Sequence, residues 1–315
     1  MPASPAPRLP FLDKARGIAL AAMVVYHFVW DLSFLGLIDP AIRDSLLWSS
    51  FARVIAASFL VLAGIGLVLA HGQGLDRAKF LRRLALVAGA ALLVTAGTWL
   101  VFPDAFVFFG ILHAIALGSV LALPFLGRPV WLTLLAAGAV WLLPFLIQNP
   151  AMAAPALIWI GLGDRLPNST DFVPVFPWFG FMLLGVAVGR LVDWSRLSGP
   201  EPATRPGRLL VTAGRRSLLV YLVHQPLLLG MLWLVALIVV QRPDPEARPF
   251  LAACHAQCGA NGGDAPTCTR LCRCALEATR EEGLWTSLMR DQLNENQRIR
   301  VEAISKRCAE KASLR

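Results

Sequence analysis

Five ionisable side chains stand inside apolar runs of membrane-crossing length, and their types and spacing could carry out proton transfer. His27 and Asp31 are four residues apart in RGIALAAMVVYHFVWDLSFLGLI, so they share one face of a helix. A carboxylate beside an imidazole fixes its tautomer and raises its basicity, the arrangement of a general base and its orienter. Arg53, His113 and His224 lie roughly seven or eight residues into three further apolar runs, and at about 1.5 Å per residue all five reach the middle third of a bilayer. Ionisable groups at that depth are costly, which makes a functional site the default reading. The same groups could instead satisfy one another in a packed bundle. In the functional reading His27 takes a proton, His113 or Arg53 stabilises a developing negative oxygen, and His224 shares the layer.

Ten residues separate Arg16 from His27. Eleven helical steps turn about 1,100°, returning His27 to within about 20° of the Arg16 face and about 16 Å further along. A cation at the membrane surface then stands in line with an imidazole in the middle. Lys14, Arg83 and Arg216 also fall at inner ends of apolar runs. With Arg16 they could surround an anionic head group, for which the planar guanidinium fork is suited. Trp178, in FPWFG at the start of the sixth run, could line a pocket or belong to an interfacial aromatic belt. His71 falls at an inner helix end and reads as interfacial.

These residues need a membrane to stand in. Of 315 residues 57% are hydrophobic and 16% charged, against about 25% charged in soluble domains. The net charge of +9 would suit a nucleic-acid partner, but the cations cluster in short loops between apolar runs, where membrane topology places them; no nucleic acid is expected. Seven runs are long enough to span, near 16–37, 46–70, 80–101, 106–126, 129–148, 173–192 and 216–240. The stretch 155–163 is too short and reads as re-entrant or interfacial. The first run is longer than a signal-peptide core and contains His27 and Asp31, so it reads as a retained span. Arg8, Lys14, Arg16, Arg77, Lys79, Arg82, Arg83, Arg128, Arg190, Arg196, Arg205, Arg208, Arg215 and Arg216 all fall on one side if the N-terminus is inside, as the positive-inside rule requires.

Seven crossings put everything after about residue 240 outside, and all six cysteines lie there: Cys254, Cys258, Cys268, Cys272, Cys274 and Cys308. Disulfides persist in oxidising compartments, which agrees with the charge count. Cys254-x-x-x-Cys258 and Cys268-x-x-x-Cys272 each place two sulfurs on one helix face. Two antiparallel helices stapled Cys254–Cys272 and Cys258–Cys268, with Cys274 left for Cys308, are one of many complete pairings. A zinc site recruiting His255 is the rival, against which the spacing counts. The expected fold is all-α: a polytopic transmembrane helix bundle over 1–240, N-terminus inside, then a helical, disulfide-stapled, extracytoplasmic tail over 241–315 whose last stretch, 285–315, is a soluble helix.

The stretch DKARGIALAAM (13–23) resembles the opening motif of the heparan-α-glucosaminide N-acetyltransferase catalytic family. SFLVLAGIGLVLA (58–70), GILHAIALGSV (110–120) and SLLVYLVHQPLL (217–228) resemble the same family and its bacterial relatives. The resemblance implies transfer of an acetyl group from cytosolic acetyl-CoA, as co-substrate, across the membrane to an extracytoplasmic sugar amine or hydroxyl. It places Arg16 near the CoA phosphates. The heparan enzymes resemble this chain less after the first span, where their active histidine lies and this chain has none. His27 as the acyl-transfer point follows instead the Arg-x10-His spacing, which resembles bacterial membrane acyltransferases that decorate surface polysaccharides.

The partners that follow are membrane lipid and a sugar or glycolipid acceptor, with a homo-oligomer left open; no metal is expected. Abundant alanine, leucine and arginine point to a bacterial inner membrane with the tail in the periplasm. A proton-coupled transporter built on the same polar cluster is the alternative, against which the absence of a sequence repeat counts.

Overall fold

The computed structural model describes residues 9–43, 45–197, 199–239, 247–290 and 292–313. Among these residues the chain is helical with no strand, and one isolated bridge joins Phe109 to Phe172. It is an all-α bundle followed by a small helical unit; the contact boundary falls between Leu234 and Val235.

In the first unit α1 runs Pro10–Phe34, α2 Pro40–Arg43, α3 Leu46–His71, α4 Arg77–Val101, α5 Ile111–Leu121, α6 Val130–Leu146, α7 Val175–Leu191 and α8 Arg205–Arg215, and α9, Ser217–Val239, begins there and runs past the boundary. Local chemistry sets several starts. Pro10 occupies the first turn of α1, where its missing N–H costs nothing. The Ser45 hydroxyl and the Asp76 carboxylate accept the backbone N–H of Trp48 and Lys79 at the starts of α3 and α4, as N-caps do.

Seven apolar helices occupy the seven segments read as spans. Four, in α1, α3, α4 and α9, are long and apolar enough to cross a membrane by themselves, while α5, α6 and α7 are shorter. The run 106–126 departs most from expectation. Its helix has 11 residues, about 16 Å, followed by a 3-10 turn over Leu123–Phe125. Gly110 and Pro124 bound it, the one extended at the helix start and the other unable to continue a helical ladder. The stretch after α6 forms two 3-10 turns, Pro150–Ala153 and Ile158–Ile160.

Small residues bring the helices close. A side chain on Gly64 would run into the Met182 carbonyl, and one on Gly185 into the Val61 carbonyl, so α3 and α7 touch backbone to backbone. Leu60, Met182, Leu183 and Val186 are buried along this seam. Such small-residue contacts are how helices associate where lipid is as apolar as leucine. A second close crossing, of α1 with α8, sets Gly17 against the Leu210 carbonyl and Gly214 against the Asp13 carbonyl. The helix α8 was not anticipated; its arginines read equally well as a basic loop.

The second unit carries α10 Ala247–Ala260, α11 Ala265–Glu281, α12 Trp285–Met289 and α13 Glu295–Ser313. All six cysteines are paired, Cys254–Cys272, Cys258–Cys268 and Cys274–Cys308, which leaves no thiolate for a zinc site. Leu284, Ile304 and Cys308 form its small core. Glu282 ties α13 to the end of α11, accepting from Arg307 at 2.7 Å and Arg300 at 2.9 Å. Those hydrogen bonds, Arg307 first, hold the Glu282 carboxyl below its ordinary value of 4.5. A depressed folded value means the stabilisation is present above the ordinary value and is lost as pH falls through the folded one. Hydrogen exchange on the full-length protein should therefore show α13 protection constant at pH values above the ordinary 4.5 and falling as the pH drops below it. Glu282→Gln should flatten that profile; an unchanged profile in the variant would show that another group controls it.

Candidate active site

The helices α1 and α9 bring His27 and His224 together. The rings of His27 and His224 lie 5.0 Å apart at 58°. Each is flanked by one of the chain's two tyrosines, Tyr26 against His27 at 5.4 Å and Tyr221 against His224 at 5.8 Å. His27 Nδ1 and His224 Nε2 are buried without a hydrogen-bond partner. Tyr221, beside His224, packs against three apolar clusters.

Asp31 is fully buried one turn beyond His27. Its Oδ1 accepts the Gln225 side-chain amide at 2.7 Å, and its Oδ2 has no partner. The carboxylate therefore links α1 to α9 next to the histidine pair and makes no hydrogen bond to His27. Gln225, adjacent to His224, was missed because it is not ionisable.

His113 stands at the start of α5 with both ring nitrogens engaged. Nδ1 accepts the Gly110 N–H at 3.2 Å, and Nε2 lies 3.3 Å from Thr95 Oγ1. The Thr95 hydroxyl donates to the Val107 carbonyl at 2.7 Å, so His113 Nε2 is the donor to Thr95. His113 thus closes a cap between α4, α5 and the preceding loop. Asp171 completes that cap, accepting the Ile111 N–H at 2.9 Å. Burial pushes the Asp171 carboxyl up to about 6, opposed by that hydrogen bond. No sequence signal marked it beyond its being an acid in an outer loop.

Where the start of α1, the end of α3 and the start of α4 meet, two guanidinium groups converge on Gly66. A methyl group there would lie 3.2 Å from Arg16 Nη2 and 3.7 Å from both Nη atoms of Arg83. The two cations repel. Among the described residues Asp13 is the one carboxylate paired with either, at 3.0 Å from Arg16. Asp13 also receives Arg215 at 3.3 Å, and Arg215 bonds Glu201 at 2.5 Å, so α8 braces the base of Arg16. His71 closes α3 on this side, 5% exposed, with Nδ1 unpartnered and its ring on Phe80; it is more enclosed than an interfacial residue would be.

The remaining candidates stand apart. Lys14 and Arg216 are exposed, Arg216 as the C-cap of α8. Arg53 is exposed on α3 and makes no hydrogen bond to the histidine pair. Trp178 lines a cavity of about 390 Å³ with Arg165, Ser169, Phe172 and Phe176; it stands near the opposite end of its helix from the Gly189–Val68 contact that flanks Gly66.

Two like charges facing one small gap suit a ligand with phosphate groups, and two imidazoles with free nitrogens suit proton transfer during attack on a carbonyl. The helix α1 joins the two places. No curated protein and no solved structure matches the chain. The family model described as "Heparan-alpha-glucosaminide N-acetyltransferase, catalytic" matches residues 8–226, from the start of α1 into α9, leaving out the cysteine-bearing unit. The chain therefore belongs to the heparan-alpha-glucosaminide N-acetyltransferase catalytic family and is a membrane acetyltransferase.

Proposed function

We propose that the protein moves an acetyl group from cytosolic acetyl-CoA to an amine or hydroxyl of a sugar or glycolipid on the other face of a bacterial inner membrane. The observation that carries this reading is the shared axis of α1, with a guanidinium pair at one end and an imidazole pair further along. Arg16 and Arg83 receive the CoA phosphates over Gly66, where the missing side chain leaves the space between them. Eleven residues along α1, about 16 Å, the extended pantetheine arm delivers the thioester to His27 and His224. Asp31 and Gln225 hold α1 and α9 at the spacing that lets the rings meet. The disulfides and the cation distribution support a periplasmic second unit.

The test is acetyl transfer by the purified full-length protein in detergent, from radiolabelled acetyl-CoA to glucosamine. Labelled sugar should form, and His27→Ala, which breaks up the imidazole pair, should lower the rate at least about tenfold. A correctly folded His27→Ala protein with the full rate would remove His27 from the reaction.

A further inference from the structure

Resting on the acetyltransferase reading, we infer that His224, through Nε2, is the proton acceptor for the attacking nucleophile. The argument is one of hydrogen-bond accounting. His224 Nδ1 lies 2.6 Å from the Tyr221 carbonyl. A carbonyl oxygen can only accept, so the proton of the neutral ring sits on Nδ1 and the lone pair on Nε2. That Nε2 is buried and has no partner within the protein. The other two membrane-depth histidines are placed differently. His113 holds its proton on Nε2 for Thr95 and uses its Nδ1 lone pair for the Gly110 N–H, so it has no free basic nitrogen. His27 has an unpartnered Nδ1 and no hydrogen bond that fixes which nitrogen carries its proton. Of the three, only His224 combines a locked tautomer with a free lone pair.

The pairing with His27 fits this role. Two imidazolium charges with ring centres 5.0 Å apart would repel strongly in a low dielectric, so one ring takes the proton while the other stays neutral. As the acceptor nitrogen or oxygen attacks the acetyl carbonyl, its proton passes to His224 Nε2 and the new C–N or C–O bond forms. When the tetrahedral intermediate collapses the C–S bond breaks, and the imidazolium returns the proton to the CoA thiolate. The base is thereby regenerated and nothing is left unbalanced. The Tyr221 carbonyl is a positioning group: it fixes the tautomer and touches no substrate.

Two measurements decide it. In ¹⁵N-histidine-labelled full-length protein the His224 signal, assigned by its loss in His224→Asn, should show a protonated Nδ1 and an unprotonated Nε2. A protonated Nε2 would overturn the inference. Asparagine places a donor where Nδ1 stood and leaves nothing at Nε2, so His224→Asn retains the bond to Tyr221. Its rate of acetyl transfer from acetyl-CoA to glucosamine should fall by roughly 10²–10⁴, with KM for acetyl-CoA within about twofold. A folded His224→Asn protein that keeps more than about a tenth of the rate would make His224 structural and overturn the assignment. If that variant fails to fold, His224→Gln, which reaches the Nε2 position without supplying a base, takes its place with the same expected loss. A wild-type protein without transfer activity would instead remove the acetyltransferase reading, while the tautomer measurement would still stand.

Discussion

Replacing Arg16 with alanine is expected to raise the KM for acetyl-CoA by roughly 10–100-fold while changing kcat much less. A hydrogen bond to a charged group is worth about 1.5–3 kcal/mol, and every 1.4 kcal/mol is about tenfold in affinity. Arg16 lies at the surface end of α1, some 16 Å from the reacting carbonyl, so its bond to phosphate is made equally in the ground and transition states. Loss of such uniform binding shows in KM. Arg16→Lys keeps the charge but loses the fork and should fall between. Gly66→Val tests the same place without touching a charge, because its side chain would occupy the space that both guanidinium groups face. Steady-state kinetics and thermal shift with CoA measure both. An unchanged KM in Arg16→Ala would put the phosphates elsewhere.

Gly185→Leu is expected to leave little folded protein in detergent extracts. A β-carbon at Gly185 would overlap the Val61 carbonyl, which belongs to a helix backbone and cannot rotate away. The helices α3 and α7 would have to part, opening a seam in which Met182, Leu183 and Val186 are fully buried. Even Gly185→Ala should cost about 1–3 kcal/mol, as overpacking does. Gly89, in α4, offers the control: nothing lies near where its β-carbon would be. Gly89→Ala removes backbone freedom from the unfolded chain and should be neutral or stabilising by up to about 1 kcal/mol. Thermal unfolding followed by intrinsic fluorescence separates the two. Equal melting temperatures for the alanine variants would contradict the close α3–α7 contact.

Apolar runs were enough to locate the bundle, because in lipid a run of about 20 apolar residues has few alternatives to a helix. In the tail, cysteines at i, i+4 on two helices suggested one pairing among the many possible, and it is the pairing the structure has. Residue counting also gave depth, and depth is what brings His27 and His224 level. It does not give the direction a side chain faces. Arg53 and His113 count to the same depth, yet Arg53 is exposed on α3 and His113 faces back to Thr95. Asp31 was read with its sequence neighbour His27, whereas its hydrogen bond is to Gln225, 194 residues away in the chain. The helix α8 was hidden by its own arginines, which serve topology and an amphipathic face at once. Gly66 could be recognised only once the helices carrying Arg16 and Arg83 were placed against it.

The most direct test of the account is the sidedness of acetyl transfer in proteoliposomes with the protein in one orientation. Acetyl-CoA is supplied only to the face carrying Arg16 and Arg83, and glucosamine only to the other. Acetylated sugar should accumulate in the glucosamine compartment, with one free CoA released opposite for each acetyl group moved, and neither should form in His224→Asn vesicles. Acetylated sugar appearing only when both compounds share a compartment would contradict a site reached from both faces of the membrane.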